Sequence, residues 1–450
     1  MRSEILTRYA EQRLPRYTSY PTAPHFSEMV DARTYRRWLS QVPADAEASL
    51  YLHIPFCRSM CWYCGCHTTI TRHDGPVLDY LDAMRREIAA VSSALAHPLG
   101  VGHVHFGGGT PTLLRPEDFL TLMDLLRDRF RLRPDAEVAV EIDPRTLTPA
   151  MTAALGAAGV TRASLGVQSF DPTVQRAINR IQSFEQTAEV TNGLRAAGVG
   201  GINFDLIYGL PHQTVASCLD TVARCLELRP DRFAVFGYAY VPGFKPHQRK
   251  IDETVLPAAA ERHAQAEAIA EALGAAGYRR IGLDHFAHPD DPMSRASDAR
   301  TLHRNFQGYT TDRGDLLLGF GASAIGRLPQ GYVQNAVVLG SYAKRIQAGE
   351  LATIKGFALS EDDRLRAELI ERIMCDFSVD LGAVCARHGR DAASFVADLP
   401  GLDQLVTDGV AMLEGGSIRV PESARPLVRA VAACFDAHLP VPGRRHAPAV

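Results

Sequence analysis

The chain has 450 residues, 46% of them apolar and 22% charged, and 48 Lys and Arg against 51 Asp and Glu leave a formal net charge of −3. That composition excludes disorder or a collagen-like repeat for the chain as a whole, and at about 100–200 residues per domain the length holds two to four domains. The balanced charge calls for neither a nucleic-acid nor a membrane partner, no stretch approaches the ~20 apolar residues that span a bilayer, and the opening MRSEILTRYAEQRLPRY lacks an apolar signal core, so a cytoplasmic protein is expected.

In chain order, residues 1–45 are polar and turn-rich, with Pro15, Pro21 and Pro24, and read as an N-terminal arm. Strand-like runs then recur at 50–54, 101–106, 137–142, 162–167, 202–207 and 232–238. Stretches rich in Ala, Leu, Arg and Glu between them, such as 78–96 and 116–130, read as helices. This alternation predicts βαβ units, a parallel sheet and an α/β fold. Six units suit a partial (β/α)6 barrel, in which ligands gather at the carboxyl ends of the strands. The barrel and its extension are expected over 46–345, with about 250–340 reading as strand-poor.

From Ser360 the character changes. Ser360 suits a helix cap, with Asp362 and Asp363 in the first turn. Leu365, Leu369, Ile370, Ile373 and Met374 then mark one apolar face. GVAMLEGGSIRV (409–420) reads as a hairpin turning at Gly415–Gly416, and a last helix is expected over 424–438. A small, mainly helical accessory domain is therefore expected over 346–438. LPVPGRRHAPAV (439–450) is expected to be a disordered tail.

Of nine cysteines, four fall within ten residues: Cys57, Cys61, Cys64 and Cys66. An odd, clustered set in a cytosolic chain points to a metal rather than to disulfides. Thiolates select iron–sulfur clusters, zinc or Cu(I). A structural zinc site takes four ligands, usually from two separated CxxC pairs. Here Cys66 follows Cys64 by two residues and no second CxxC exists downstream. A [4Fe–4S] cube held by the CxxxCxxC thiols Cys57, Cys61 and Cys64 leaves one iron open to a reactant. Cys66 reads equally as a nearby thiol or as a group beside the substrate.

Other residues fall at strand ends. FGGGTPT (106–112) serves a tight turn or a backbone cradle for a ligand. Glu141 suits a surface ion pair or an acceptor for a ribose or an amine. A carboxylate at Asp205, inside the apolar run NFDLIYG, is costly unless paired or bound, which favours a ligand role. Gln168 occupies an equivalent rim, and Arg180 alone reads as a solvated face. His53 reads as a satisfied core histidine. With no HExxH, GxSxG or Walker A motif, hydrolase and P-loop chemistry are unsupported.

CxxxCxxC after a first barrel strand resembles the radical S-adenosylmethionine (SAM) superfamily. Within it, PRYTSYPTA (15–23), YLHIPFC (51–57), CGC (64–66), FGGGTPT (106–112), EIDPR (141–145), SLGVQSF (164–170), NFDLIYGLP (203–211), LDHFA (283–287) and HRNFQGYTT (303–311) resemble the oxygen-independent coproporphyrinogen III oxidase family. The likeness covers most of 15–330 and weakens in the last 90 residues. It implies a [4Fe–4S] cluster on Cys57, Cys61 and Cys64. It implies a first SAM held by Tyr51, Tyr63, Gly108, Glu141, Ala239 and Ile325, and a second held by Gly109, Thr110, Gln168, Arg180 and Asp205; Cys66 stands as the candidate catalytic residue, with the nearby-thiol reading equally open.

The family's reaction sends an electron into SAM, giving methionine and a 5′-deoxyadenosyl radical. The radical takes a hydrogen from the β-carbon of a propionate of coproporphyrinogen III. Loss of CO2 and one electron leaves a vinyl group. Two propionates react, two SAM are consumed, and protoporphyrinogen IX results, a step of haem biosynthesis. An electron donor of flavodoxin or ferredoxin type, an electron acceptor and a monomer are expected, and the hypothesis for the arm is that Arg16, Tyr17 and Tyr20 close over the macrocycle. Superfamily relatives include haem chaperones, methyltransferases and haem-degrading enzymes. The chaperones typically lack the CGC cysteine and the PRYTSYPTA arm, and both are present here.

Overall fold

The computed structural model describes residues 5, 8, 9 and 12–439, so the expected tail lies, Leu439 apart, outside the described residues. The chain forms two compact units. One comprises Phe26–Ala276 and Asp312–Ala358, and the other the segment up to His25, Gly277–Thr311 and the segment from Leu359. The sequence suggested divisions at 45/46 and 345/346. The units instead divide at 25/26 and 358/359, and residues 277–311 group with the C-terminal part.

The larger unit is an α/β layer structure. The strands of its main sheet are β1 (Glu47–Ile54), β2 (Gly100–Gly108), β3 (Arg131–Ile142), β4 (Arg162–Gln168), β5 (Gly201–Tyr208), β6 (Arg232–Gly237), β7 (Leu316–Phe320), β8 (Ile325–Leu328), β9 (Gly331–Asn335) and β10 (Thr353–Ala358). They lie in the order β10-β9-β8-β7-β1-β2-β3-β4-β5-β6. Strands β1 to β6 pair in parallel in sequence order, and β7 joins parallel to β1. β8, β9 and β10 continue antiparallel. The six expected strands are all present, because each is an apolar run closed by turn residues.

The expectation that 250–340 is strand-poor is corrected. β7, β8, β9 and two hairpins of the other unit lie there. These strands have three to five residues, too short for alternation to show.

Helices such as Gly75–Ala94, Pro116–Arg129 and Val215–Glu227 cover the sheet. Their apolar faces bury Phe119 against Phe106, with ring centroids 4.8 Å apart. A buried Phe contributes about 1.5–3 kcal/mol through removal of its surface from water. One carboxylate enters this core. Glu87, 1% exposed, accepts from Gly321 N (2.7 Å), Asn335 Nδ2 (2.6 Å) and Tyr342 Oη (2.7 Å). Burial pushes its carboxyl up to about 7, despite those three donors. Among the described residues no helix is long and apolar enough to cross a membrane.

In the smaller unit, Ser360 caps the helix Glu361–Asp376 through a capping box with Asp363, and the five apolar-face residues named above are buried. The hairpin turns at Gly415–Gly416, both at positive φ, and its strand Ser417–Arg419 also pairs with Ser378–Asp380. The last helix is shorter than expected. A 3-10 turn spans Glu422–Leu427, where Pro426 lacks the N–H that a continuous helix needs, and the α-helix covers only Val428–Ala433. Tyr17 and Tyr20, expected over the macrocycle, are buried here. Tyr17 Oη donates to Asp436 Oδ2 (3.1 Å), and Ala437 N donates to Tyr20 Oη (3.0 Å).

Candidate active site

Every residue singled out for the cluster or for SAM lies in the larger unit, and most sit at the carboxyl ends of its parallel strands. The cysteine loop leaves β1. Gly108 ends β2, and Gly109 and Thr110 follow it. Glu141 is the penultimate residue of β3, Gln168 the last of β4, and Ala239 follows β6. Asp205 lies inside β5, level with Gly166. Ile325 opens β8, and since β8 runs antiparallel to β7 its first residue returns to the same end of the sheet.

The four loop cysteines are free thiols, Cys61 buried and Cys66 exposed. Each of the first three sulfurs meets polar hydrogens. Cys57 Sγ lies 3.3 Å from Thr110 Oγ1 and 3.4 Å from Thr68 Oγ1. Cys61 Sγ receives Arg145 Nη2 (3.4 Å) and Arg180 Nη1 (3.6 Å). Cys64 Sγ receives Cys66 N (3.4 Å). Burial raises the Cys57 thiol, with Thr110 and Thr68 pulling the other way. The Cys66 side chain, hydrogen-bonded to Cys64, lowers the Cys64 thiol to about 6 and is itself pushed up. Sulfurs solvated by fixed donors, two of them cationic, suit thiolates bound to iron.

Glu141 is anchored by Gly108 N (3.0 Å) and His105 Nε2 (3.3 Å). Burial raises its carboxyl, but His105 and the Gly108 amide outweigh that and hold it below the ordinary carboxylate range. Tyr51 Oη donates to His53 Nδ1 (2.9 Å), and His53 Nε2 donates to His67 O (3.0 Å). Burial lowers the imidazole's pKa, so His53 is a neutral, satisfied core histidine. Gly108 packs on this ring. Its φ is +114°, and an added Cβ would lie 2.7 Å from His53 Cε1.

Gln168 sits at φ +67°, a region that costs a side-chain-bearing residue about 1 kcal/mol or more. Its Oε1 is buried without a hydrogen-bond partner. Arg180, 6% exposed, donates Nη2 to Gly166 O (2.6 Å) and reaches Asp143 at 3.3 Å, while its Nε is buried without a partner. It is a buried cation, not the solvated face that its sequence context suggested. Asp205 accepts from Ser164 Oγ (2.9 Å) and Asn203 Nδ2 (2.8 Å). The orphaned atoms of Gln168 and Arg180 are what a site awaiting a polar ligand presents, and the thiol donor set fits a cluster.

Several residues of this architecture escaped sequence reasoning. Asp143 and Arg145 stand in the EIDPR segment, where the sequence points only to Glu141. Nothing in the sequence marks the turn 245–248. Lys245 Nζ donates to Cys66 O (2.8 Å), His247 Nε2 to Cys64 O (2.8 Å), and fully buried Gln248 through Nε2 to Tyr63 O (2.9 Å) and Ala239 O (3.2 Å). Gln248 thereby joins Tyr63 to Ala239, two residues the resemblance places around one ligand. Tyr63 packs with Trp62 against a buried cluster containing Tyr238.

The Radical SAM superfamily model matches residues 51–225 and the HemN C-terminal domain model residues 359–427. An oxygen-independent coproporphyrinogen III oxidase of Bradyrhizobium diazoefficiens is 62% identical over 450 residues, 100% of each chain. One of Paracoccus denitrificans is 43% identical over 428 residues, 95% of each. The solved coproporphyrinogen III oxidase of Escherichia coli, described as a radical SAM enzyme, superposes with a TM-score of 0.90 at 38% identity, covering 95% of this chain and 100% of that one.

Proposed function

The chain belongs to the family of oxygen-independent coproporphyrinogen III oxidases, which are radical SAM proteins, and on that premise we propose that it converts coproporphyrinogen III to protoporphyrinogen IX in haem biosynthesis. Two propionates lose CO2 and become vinyl groups without oxygen. The family's [4Fe–4S] cluster and two SAM per turnover supply reductive cleavage of a carbon–sulfur bond and a carbon radical able to take hydrogen from an unactivated carbon.

The chain's own residues hold, orient and neutralise. Cys57, Cys61 and Cys64 carry the cluster, with Thr68, Thr110, Arg145 and Arg180 donating to their sulfurs. Glu141, kept anionic, accepts from hydroxyl or ammonium groups of a first SAM, beside Tyr51, Tyr63, Gly108, Ala239 and Ile325. Gly109, Thr110, Gln168, Arg180 and Asp205 line the second, where the unsatisfied Gln168 Oε1 and Arg180 Nε find their partners. Cys66, exposed beside a ligand cysteine, acts on the substrate side. The reading takes the chain as a monomeric cytoplasmic enzyme served by an external one-electron donor of flavodoxin or ferredoxin type and by an electron acceptor.

The observation that carries this reading is the 57–66 loop: three free thiols whose sulfurs each meet a donor, at the carboxyl end of β1. The test is an oxygen-free assay with reductant, SAM and coproporphyrinogen III, read by porphyrin mass and by iron and sulfide content. Serine at Cys57, Cys61 or Cys64 should abolish iron loading and turnover. Serine at Cys66 should leave the iron in place and impair turnover. A loaded protein that leaves SAM intact, or a normal iron content without Cys61, overturns it.

A further inference from the structure

Nine large apolar side chains are exposed among the described residues, and four of them stand on segments bonded to the cysteine loop or to His67 just after it. Ile70 belongs to the strand that pairs with Phe56–Cys57. Ile181, 63% exposed, follows Asn179 and Arg180, which bond to Met60 O (2.8 Å) and Cys61 Sγ. Phe244, 71% exposed, precedes Lys245, which holds Cys66 O. Val338, 69% exposed, follows Val337, whose carbonyl accepts from His67 Nε2 at 2.9 Å.

The same segments carry exposed cations that form no ion pair among the described residues: Arg72, Arg176, Arg249 and Lys250, the last lying over the Trp62 ring at 5.7 Å. Of the carboxylates on these segments, Asp74 is neutralised by Arg58, while Asp171, Asp252 and Glu253 keep their charge, the first two as helix caps. With Lys245 the segments hold five cations against those three anions, a net positive charge.

Isolated exposed apolar residues need no explanation, but a group of them among unpaired cations has the anatomy of a protein interface. We propose that this surface docks an acidic one-electron carrier protein, the donor that the proposed function requires. The inference rests on that function and adds a place for the donor. In the step it serves, one electron leaves the carrier and enters the cluster; no bond is made or broken, and no proton need cross the interface. The segments that bear the patch are bonded to the backbone or sulfurs of the cluster loop, so a partner seated there lies against the loop itself. Electron-carrier complexes are small and weak and depend on charge steering for their speed. A cationic rim around a modest apolar centre suits that regime.

The experiment uses the anaerobically loaded full chain, with a reduced flavodoxin and an acidic reduced ferredoxin as probes. Bleaching of the iron–sulfur absorbance after mixing reports cluster reduction. The double variant R249E/K250E should slow reduction by the carriers about tenfold or more at low salt and remove its salt dependence. Phe244→Ser should raise the carrier concentration needed for half-maximal rate. Iron content, reduction by dithionite and SAM cleavage under dithionite should match the parent chain in both variants.

Two results would overturn the proposal: a parent chain reduced by neither carrier, or carrier rates unchanged in the double variant. The second, accompanied by a raised KM for coproporphyrinogen III, would assign the patch to the tetracarboxylate substrate. A parent chain that takes up no cluster fails already at the dithionite control, and there the underlying function falls and takes the docking surface with it.

Discussion

The Glu87 carboxyl shows how one residue can set a pH dependence for the whole sheet. Its folded pKa of about 7 stands above the ordinary 4.5, so the folded state binds the proton more tightly than the unfolded chain does. Stability from this group is therefore full below about pH 4.5 and falls as pH rises towards 7, by about 3 kcal/mol in all. Glu87→Gln removes the titration. The difference in thermal midpoint between parent and variant, followed from pH 5 to pH 8, should shift towards the variant as pH rises. A difference that stays constant over that range would sink the assignment. A buried Glu on a helix whose other buried residues are apolar is not legible from sequence, since its partners come from residues 321, 335 and 342. Asp205 was legible for the opposite reason: it interrupts an apolar strand, where a charge must have company.

At the scale of elements, the parallel strands and their ends could be read directly, because apolar runs and glycine-rich closures are local signals. The turn 245–248 could not. It acts on main-chain carbonyls of the cysteine loop, and a carbonyl has the same identity in every residue. Gln248→Leu leaves the carbonyls of Tyr63 and Ala239 without their buried donor, at about 1–3 kcal/mol. Its expected effect is a normal iron content with weakened SAM binding, visible as a changed electron paramagnetic resonance response of the reduced protein to added SAM. An unaltered response would show the clamp to be structural only. The helix at Ser360 offers a simpler check. Ser360→Ala removes the side chain that accepts from Asp363 N and should cost about 1 kcal/mol in chemical denaturation, with the slope unchanged.

For the whole molecule, the N-terminal segment changes meaning. Its prolines and polar residues suggested an arm, yet Leu14, Tyr17 and Tyr20 are buried with Leu369, Val428 and Phe435 in one cluster. Deleting residues 1–25 should therefore lower the stability of the smaller unit by about 5 kcal/mol, the scale of losing large buried side chains. Limited proteolysis should then cut within 359–439 before the sheet of the larger unit. Equal protection in both chains would restore the picture of a loose arm. Proximity of chain ends with long sequence separation leaves no periodic trace, and so the division into units was the least legible part of the fold.

The bonds that fasten the 57–66 loop also fix an order of events in the cell. The three thiols emerge early in synthesis, but the groups that hold their loop are Arg145, the 178–180 segment and the turn 245–248, up to about two hundred residues later. Contacts of such sequence separation form late in folding. A nascent chain halted near residue 200 should therefore carry the three thiols without the turn that holds the carbonyls of Tyr63, Cys64 and Cys66, and should take up less iron and sulfide than the full chain.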